Sequence, residues 1–238
     1  MPRLAHAAEL LDGPLDDPET LVGNLRDLAR VNRWLGGVSL SLRALESVAG
    51  RLADRGSTIT LLDVGTGAAD IPRAMLADWQ RRGRRLMVTA VDDRAEVLDA
   101  ARVASPGLTG IPRLELAVAD GRALPWADAT FDVAHCSLLL HHLDERSAVV
   151  LLREMARVSR RGVIVNDLTR GRRFWLGAWL LAHAATRNRY TRHDAPLSVR
   201  RAWTIGEARA LLAVAGLRPA FEARDVLRHR WAITGAVR

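Results

Sequence analysis

The chain alternates two rhythms of apolar and polar positions. Over "DDPETLVGNLRDLARVNRWLGG", Leu21, Leu25, Leu28 and Val31 recur at helical spacing. Asp17 before Pro18 reads as a cap and first-turn pair, and Gly36-Gly37 as a stop. "SLSLRALESVAGRLADRG" repeats the design, so residues 1–56 read as a helical N-terminal extension or lid. From residue 57 the rhythm changes to short apolar runs alternating with amphipathic stretches: "TITLLDV", "IPRAMLADWQRR", "LMVTAVD", "AEVLDAARVA", "RLELAVAD", "FDVAHCSLLL", "AVVLLREMARVS" and "RGVIVNDL". Strands rich in Val, Ile and Leu interleaved with helices predict βαβ units and a parallel sheet covered on both faces, an α/β fold.

After Leu168 comes "FWLGAWLLAHAA", a 12-residue apolar segment flanked by arginines and too short to cross a bilayer, which needs about 20 residues. The polar "TRNRYTRHDAPLSVRR" follows. "TIGEARALLAVAGL" then predicts a capped helix ending at Gly216, and "RPAFEARDVL" with "RHRWAITGAV" predicts two strands joined by a tight turn. The expected organisation is one domain over 57–238, with a helical cap insert at about 170–201.

A chain of 238 residues with 49% hydrophobic content can bury a full core. Its one cysteine, Cys136, cannot form an internal disulfide, and no basic start leads into an apolar run, so a cytoplasmic location is the expectation. The net charge of +8 is carried without lysine: all 35 basic residues are arginine. Residues 1–144 hold 16 Arg against 20 Asp plus Glu, and 145–238 hold 19 against 7. The basic half is C-terminal, where it either meets an anionic partner or a membrane surface or is simply solvated. Solvation is the favoured reading.

"LLDVGTGAAD", residues 61–70, carries the candidate chemistry. Gly65 and Gly67 stand at the first two places of a dinucleotide fingerprint, but Asp70 takes the third, where a carboxylate would repel a pyrophosphate. No Gly-Lys-Ser/Thr ending follows, which excludes a Walker-type loop. The turn therefore suits a nucleotide-like ligand without phosphates. Further polar residues end the later apolar runs: Asp92 and Asp93, Asp120, and Ser137. In an open parallel sheet ligands bind beyond the carboxyl ends of the strands, so these residues converge on one acidic crevice suited to a cation. Asp70 also reads as the start of a helix and Asp93 as a helix cap. Trp79 and Trp126 read as packing or adenine-side contacts.

On these blocks the chain resembles the class I S-adenosylmethionine-dependent methyltransferases from about residue 55 onward. "LLDVGTGAAD" is similar to that family's first motif, "VTAVD" to its second-strand acid, "LAVADGRALPWADATFDVAHCSLLLHHL" to its third and fourth strands, and "REMARVSRRGVIVNDL" to its fifth. The resemblance implies a Rossmann-like, seven-stranded, mostly parallel sheet. It implies S-adenosyl-L-methionine as cofactor and S-adenosyl-L-homocysteine as its product. It assigns Gly65, Thr66 and Gly67 to the methionine part, with Asp63 ordering the amino group and Asp70 nearby. Asp92, with Asp93 beside it, accepts the ribose hydroxyls, since an ionised carboxylate only accepts. Asp120, Gly121 and Arg122 meet the adenine, while Ser137 and His142 line the sulfonium side. Many members have glycine where Ala69 stands, which implies a small backbone shift.

Methyl transfer from a sulfonium is an in-line displacement, and an oxygen or nitrogen acceptor must also lose a proton. His141, His142 and His193 are the candidate bases, whereas His135 reads as a hydrogen-bonded core residue inside its strand. The N-terminal helices and the insert are expected to enclose the acceptor. Phe174, Trp175, Trp179, Leu180, Leu181, Tyr190 and Trp203 are read as a greasy inner face, with His193 as a polar contact. This favours a small hydrophobic acceptor, phenol-, quinone- or polyketide-like, as in bacterial quinone and polyketide tailoring methyltransferases. Two alternatives stand: an RNA methyltransferase using the C-terminal arginines, disfavoured by the lack of a recognisable RNA-binding module, and weak membrane-surface association through the insert to reach a lipid. No metal site is read, and the oligomeric state is left open.

Overall fold

The computed structural model describes residues 1–5, 7–53, 56–225 and 229–237. Its elements are α1 (Pro18–Trp34), α2 (Gly37–Ala53), β1 (Thr58–Val64), α3 (Asp70–Arg81), β2 (Arg85–Asp92), α4 (Ala95–Ala104), β3 (Leu114–Val118), β4 (Phe131–Ser137), α5 (Glu145–Val158), β5 (Ser159–Leu168), α6 (Arg172–Ala185), α7 (Arg189–Arg201), α8 (Ile205–Val214), β6 (Arg218–Asp225) and β7 (Arg230–Ala236). The seven strands form one sheet in the order β3-β2-β1-β4-β5-β7-β6. All pairings are parallel except those of β7, which runs antiparallel to β5 and β6. The turn expected between the last two strands falls on 226–228, outside the described residues.

Alternation along β1 sets the two layers, because successive side chains of a strand point to opposite faces. Ile59 and Leu61 face one side, where they pack with Leu40 and Leu45 of α2 and Met75 and Trp79 of α3. Leu62 and Val64 face the other, with Leu151, Leu152 and Met155 of α5 and Leu211 and Leu212 of α8. Trp79 is thus a core residue, and Trp126 packs edge-on against Phe131 with ring centroids 5.4 Å apart. Neither contacts the crevice described below.

The helix starts follow their caps. Asp17 accepts the Thr20 N–H, Asp144 accepts the Ser147 N–H, and Thr204 forms a reciprocal capping box with Glu207. The Asp144 cap starts α5 three residues before the stretch that hydrophobic spacing marked. Asp93 does not cap α4: the N-cap is Arg94, without a side-chain bond, and Asp93 precedes it. The two N-terminal helices also part company. α2 is a layer of the sheet, whereas α1 lies across α4 and α7 over the carboxyl ends of the strands.

Candidate active site

In the strand order, β1 and β4 are neighbours whose connections leave in opposite directions, which opens a crevice beyond their carboxyl ends. The turn after β1 makes its floor. Gly65 and Gly67 have φ of +66° and +53°, and a Cβ on Gly65 would lie 2.9 Å from Leu139. Ala69 also takes the left-handed conformation, φ +51°, so the alanine keeps the turn that glycine adopts freely. Opposite, a Cβ on Gly121 would lie 2.6 Å from Val64 and 2.7 Å from Leu151. Only glycine lets that segment approach.

The crevice encloses about 370 Å³ and is lined by the residues that sequence placed there: Gly65, Thr66, Gly67, Asp70, Asp92, Asp93, Asp120, Gly121, Arg122, Ser137 and His142. Asp63 stands behind it, where its carboxylate accepts the Thr66 hydroxyl at 2.6 Å and faces His135 Nδ1 at 2.5 Å. His135 in turn meets Ser41 Oγ at 2.9 Å, a buried relay that fixes the turn. Asp92 accepts the Gly67 N–H at 3.0 Å. Burial, with Asp93 and Asp63 adding repulsion against that hydrogen bond, pushes the Asp92 carboxyl up to about 6. Asp70 is pushed up by burial as well; one oxygen accepts the Asn32 amide at 3.2 Å and the other has no partner among the described residues. The buried Ser137 hydroxyl likewise lacks a partner there.

This donor set fits an adenosyl sulfonium. The acids can accept hydroxyl and ammonium protons and face a positive charge, and the unpartnered Ser137 and Asp70 atoms need a ligand to satisfy them. The arginines at the rim are engaged elsewhere. Arg122 forks onto Asp120 with two contacts of 3.1 Å and holds that carboxyl below its usual range, while Arg94 donates to the Gly13 carbonyl at 2.6 Å. Among the described residues a pyrophosphate would find no cation aimed at it.

A second cavity of about 500 Å³ adjoins the crevice, and Leu11, Leu28, Leu138 and His142 line both. Its walls are α1 and α6, and its floor holds Glu9, His141, His142, Asp194 and Ser198. Glu9 belongs to a short 3-10 turn that is pinned to α7 because Asp194 accepts the Leu10 and Leu11 N–H groups at 2.8 and 3.1 Å. His141 Nδ1 faces Asp167 Oδ1 at 2.7 Å, and His142 Nδ1 faces Asp12 Oδ1 at 2.7 Å. Burial opposes charge on Asp12 and Asp167, but the histidines outweigh it and both carboxyls are held low. Burial also lowers the His142 imidazole; Glu9 and Asp12 overcome it and raise its affinity for a proton.

The insert turns a different face inward from the one expected. Gly177, Ala178, Leu181, Ala182 and Ala185 line the cavity, while Trp175 and Trp179 are 37% and 41% exposed on the outer face. Tyr190 is buried between Leu21, Leu25 and Val97, Trp203 lies in the sheet core with its N–H on the Leu140 carbonyl, and His193 is half exposed beside Asp194. None of these five contacts the cavity. Of the candidate bases, His141 and His142 reach the floor and His193 does not. Glu9, Asp12 and Asp167 were missed. Asp167 ends β5 as the other acids end their strands, a signal available in "VIVNDL"; Glu9 and Asp12 carry none.

Residues 62–165 match the family model described as a methyltransferase domain. Among solved structures, the chain is similar to an S-adenosylmethionine-dependent methyltransferase from Aquifex aeolicus, at 19% identity over 93% of this chain and 99% of that one, with a TM-score of 0.59. It is similar to human N-acetylserotonin methyltransferase in complex with S-adenosylmethionine, at 16% identity over 95% and 61% of the two chains and a TM-score of 0.64. A third is an O-methyltransferase family 2 protein from Planctomyces limnophilus in complex with apigenin, at 20% identity over 94% and 63%, with a TM-score of 0.58. With the strand-tip motifs and the acid-lined crevice, these findings show that the chain has the fold of S-adenosylmethionine-dependent methyltransferases and a methyltransferase-domain match over residues 62–165.

Proposed function

We propose that the chain is a methyltransferase that takes its methyl group from S-adenosylmethionine bound in the crevice, and that the acceptor is a small hydrophobic molecule, aromatic and hydroxyl-bearing, held in the second cavity with its hydroxyl on the Glu9, His141 and His142 floor. The observation that carries this reading is the shared wall. His142 lines both spaces, so a group on the floor lies next to the sulfonium side of the crevice. The lining away from the floor is mostly Leu, Val, Ala and Gly, which suits an apolar body. The solved structures in complex with apigenin and of N-acetylserotonin methyltransferase belong to proteins of the same fold and support a small acceptor.

In the reaction the acceptor oxygen attacks the methyl carbon in line, the S–C bond breaks as the O–C bond forms, and neutral S-adenosylhomocysteine leaves. The floor draws off the hydroxyl proton, while Asp92, Asp120, Ser137 and the glycine turn hold the donor. Asp63 acts from behind, by fixing Thr66 and His135. The test is transfer of labelled methyl from S-adenosylmethionine to a panel of phenols and quinols, set against matched anilines and RNA. Turnover of hydroxylated aromatics is expected; turnover of RNA alone overturns the reading.

One observation favours membrane-surface work as a second reading. The outer face of α6 presents Trp175, Leu176, Trp179 and Leu180, each at least 37% exposed, next to exposed Arg172 and Arg173. No helix among the described residues is long and apolar enough to cross a membrane. Flotation with anionic liposomes at low and high salt decides it: binding only at low salt supports surface docking, and none at either removes it.

A further inference from the structure

The side chains of Glu9, His141 and His142 offer ligand atoms that all lie within 4.8 Å of one another. Each imidazole Nδ1 faces a carboxylate, Asp167 for His141 and Asp12 for His142. Ionised carboxylates only accept, so each Nδ1 carries a proton and each Nε2 is left as the ring atom that faces Glu9. Nε2 of His141 lies 3.8 Å from Oε1 and Nε2 of His142 3.7 Å from Oε2. Two ring nitrogens converging on a carboxylate call for positive charge between them, as a proton or as a metal ion. These separations are too long for a shared proton, which draws heavy atoms to about 2.7–3.2 Å. The edge of a coordination polyhedron is about 3.0–3.5 Å for bonds of about 2.0–2.2 Å, so the two edges to Glu9 need a contraction of a few tenths of an ångström, and the full set, within 4.8 Å, one of about 1 Å or a little more at most.

Two further observations point to a ligand there. Glu9 Oε1 is buried and accepts no hydrogen bond among the described residues. Arg201 lies 3.5 Å from it, but its hydrogen bonds go to Asp12 and to the His142 carbonyl. A carboxylate on the far nitrogen of each ligand histidine is also the outer arrangement that orients imidazoles toward a metal.

We propose that Glu9, His141 and His142 bind one divalent transition-metal ion, with zinc as the reference ion, at the floor of the second cavity. Two imidazoles and one carboxylate select zinc, cobalt or manganese over magnesium and calcium, which prefer all-oxygen sets. All three residues line the cavity, so the remaining coordination positions are open to a ligand in it. What the ion does there rests on the acceptor reading above. When bound, the ion would make a hydroxyl held beside it more acidic and so ease the loss of the proton that the floor draws off.

The test uses the untagged full chain, stripped with chelator and dialysed. Zinc is titrated by calorimetry, and cobalt is followed by its visible absorption. One ion per chain with Kd below about 1 μM is expected, since three protein ligands hold catalytic zinc. Glu9→Gln should weaken uptake at least about 100-fold while binding S-adenosylhomocysteine as wild type does, which shows that it is folded. If Glu9→Gln fails to fold, His141→Asn, which lines only the second cavity, takes its place in the same titration. No uptake by wild type, or equal uptake by the variant, overturns the site. Zinc uptake without methylation of any hydroxylated aromatic keeps the site and removes the acceptor reading. Methylation by the stripped chain with no zinc uptake does the reverse.

Discussion

The donor crevice and the second cavity share a wall but are built in opposite ways. Apart from α1 and the N-terminal turn that cover it, the crevice draws its polar groups from the tips of neighbouring strands and the turns after them, from Gly65 to His142. A parallel sheet fixes those tips relative to one another, so each polar group arrives with its strand. The floor of the second cavity instead joins Glu9 from the N-terminal turn, His141 and His142 from after β4, and Asp194 and Ser198 from α7. Its geometry depends on the packing of α1, α6 and α7 against each other, so lid substitutions should redirect the acceptor and leave the donor in place.

The largest expected effect tests the crevice alone. Asp92→Ala removes the carboxylate proposed to accept two ribose hydroxyls. Hydrogen bonds to a charged group contribute about 1.5–3 kcal/mol each, so affinity for S-adenosylhomocysteine should fall at least about 100-fold by calorimetry. A loss below about tenfold would place the ribose elsewhere. Next, His141→Asn retains a donor for Asp167 but removes the imidazole from the floor. Turnover should fall about 100-fold, while the Kd for S-adenosylhomocysteine stays within about threefold. An equal fall in both would merge the two regions into one.

A smaller effect follows from protonation of the crevice. The Asp92 carboxyl is raised to about 6, so its neutral form prevails below that pH and accepts ribose hydroxyls poorly. Affinity for S-adenosylhomocysteine should drop toward tenfold per pH unit as the pH falls through about 6. Stability runs the other way. A carboxyl raised on folding stabilises the fold fully below its unfolded value of about 3.9, and this contribution is lost as the pH rises through about 6. Asp92→Asn should therefore melt higher than wild type at pH 7.5 while binding donor less tightly; a lower melting point would mean that the ionised carboxylate supports the fold. The smallest effect is local: Ala69→Gly relieves a left-handed alanine and should change stability by no more than about 1 kcal/mol, with donor affinity unchanged.

The same difference in construction explains what the sequence made readable. Strand-tip polarity, from Asp92 to Ser137, pointed to the crevice because a residue's place along a strand determines its place in the molecule. Helical spacing alone cannot say which stripe of α6 faces inward when both stripes are apolar. The bulk of Trp175 and Trp179 predicts an inner face for them, but small residues at 177, 178, 182 and 185 let α6 approach the cavity. Tyr190 and Trp203 were correctly greasy and wrongly placed, since each fills a neighbouring core. Glu9 and Asp12 belong to no periodic pattern, and they meet the histidines only through the fold, 130 or more residues along the chain.

The most direct test of two adjoining but separable sites fills the second cavity without touching the first. Ala178 lines the cavity from α6 and has no part in the crevice, so Ala178→Phe places a ring where the acceptor's apolar body is proposed to lie. Calorimetry and acceptor kinetics on this variant should give a wild-type Kd for S-adenosylhomocysteine, within about twofold, and an acceptor KM raised about tenfold or more. An unchanged KM, or a donor affinity that falls with it, contradicts the account.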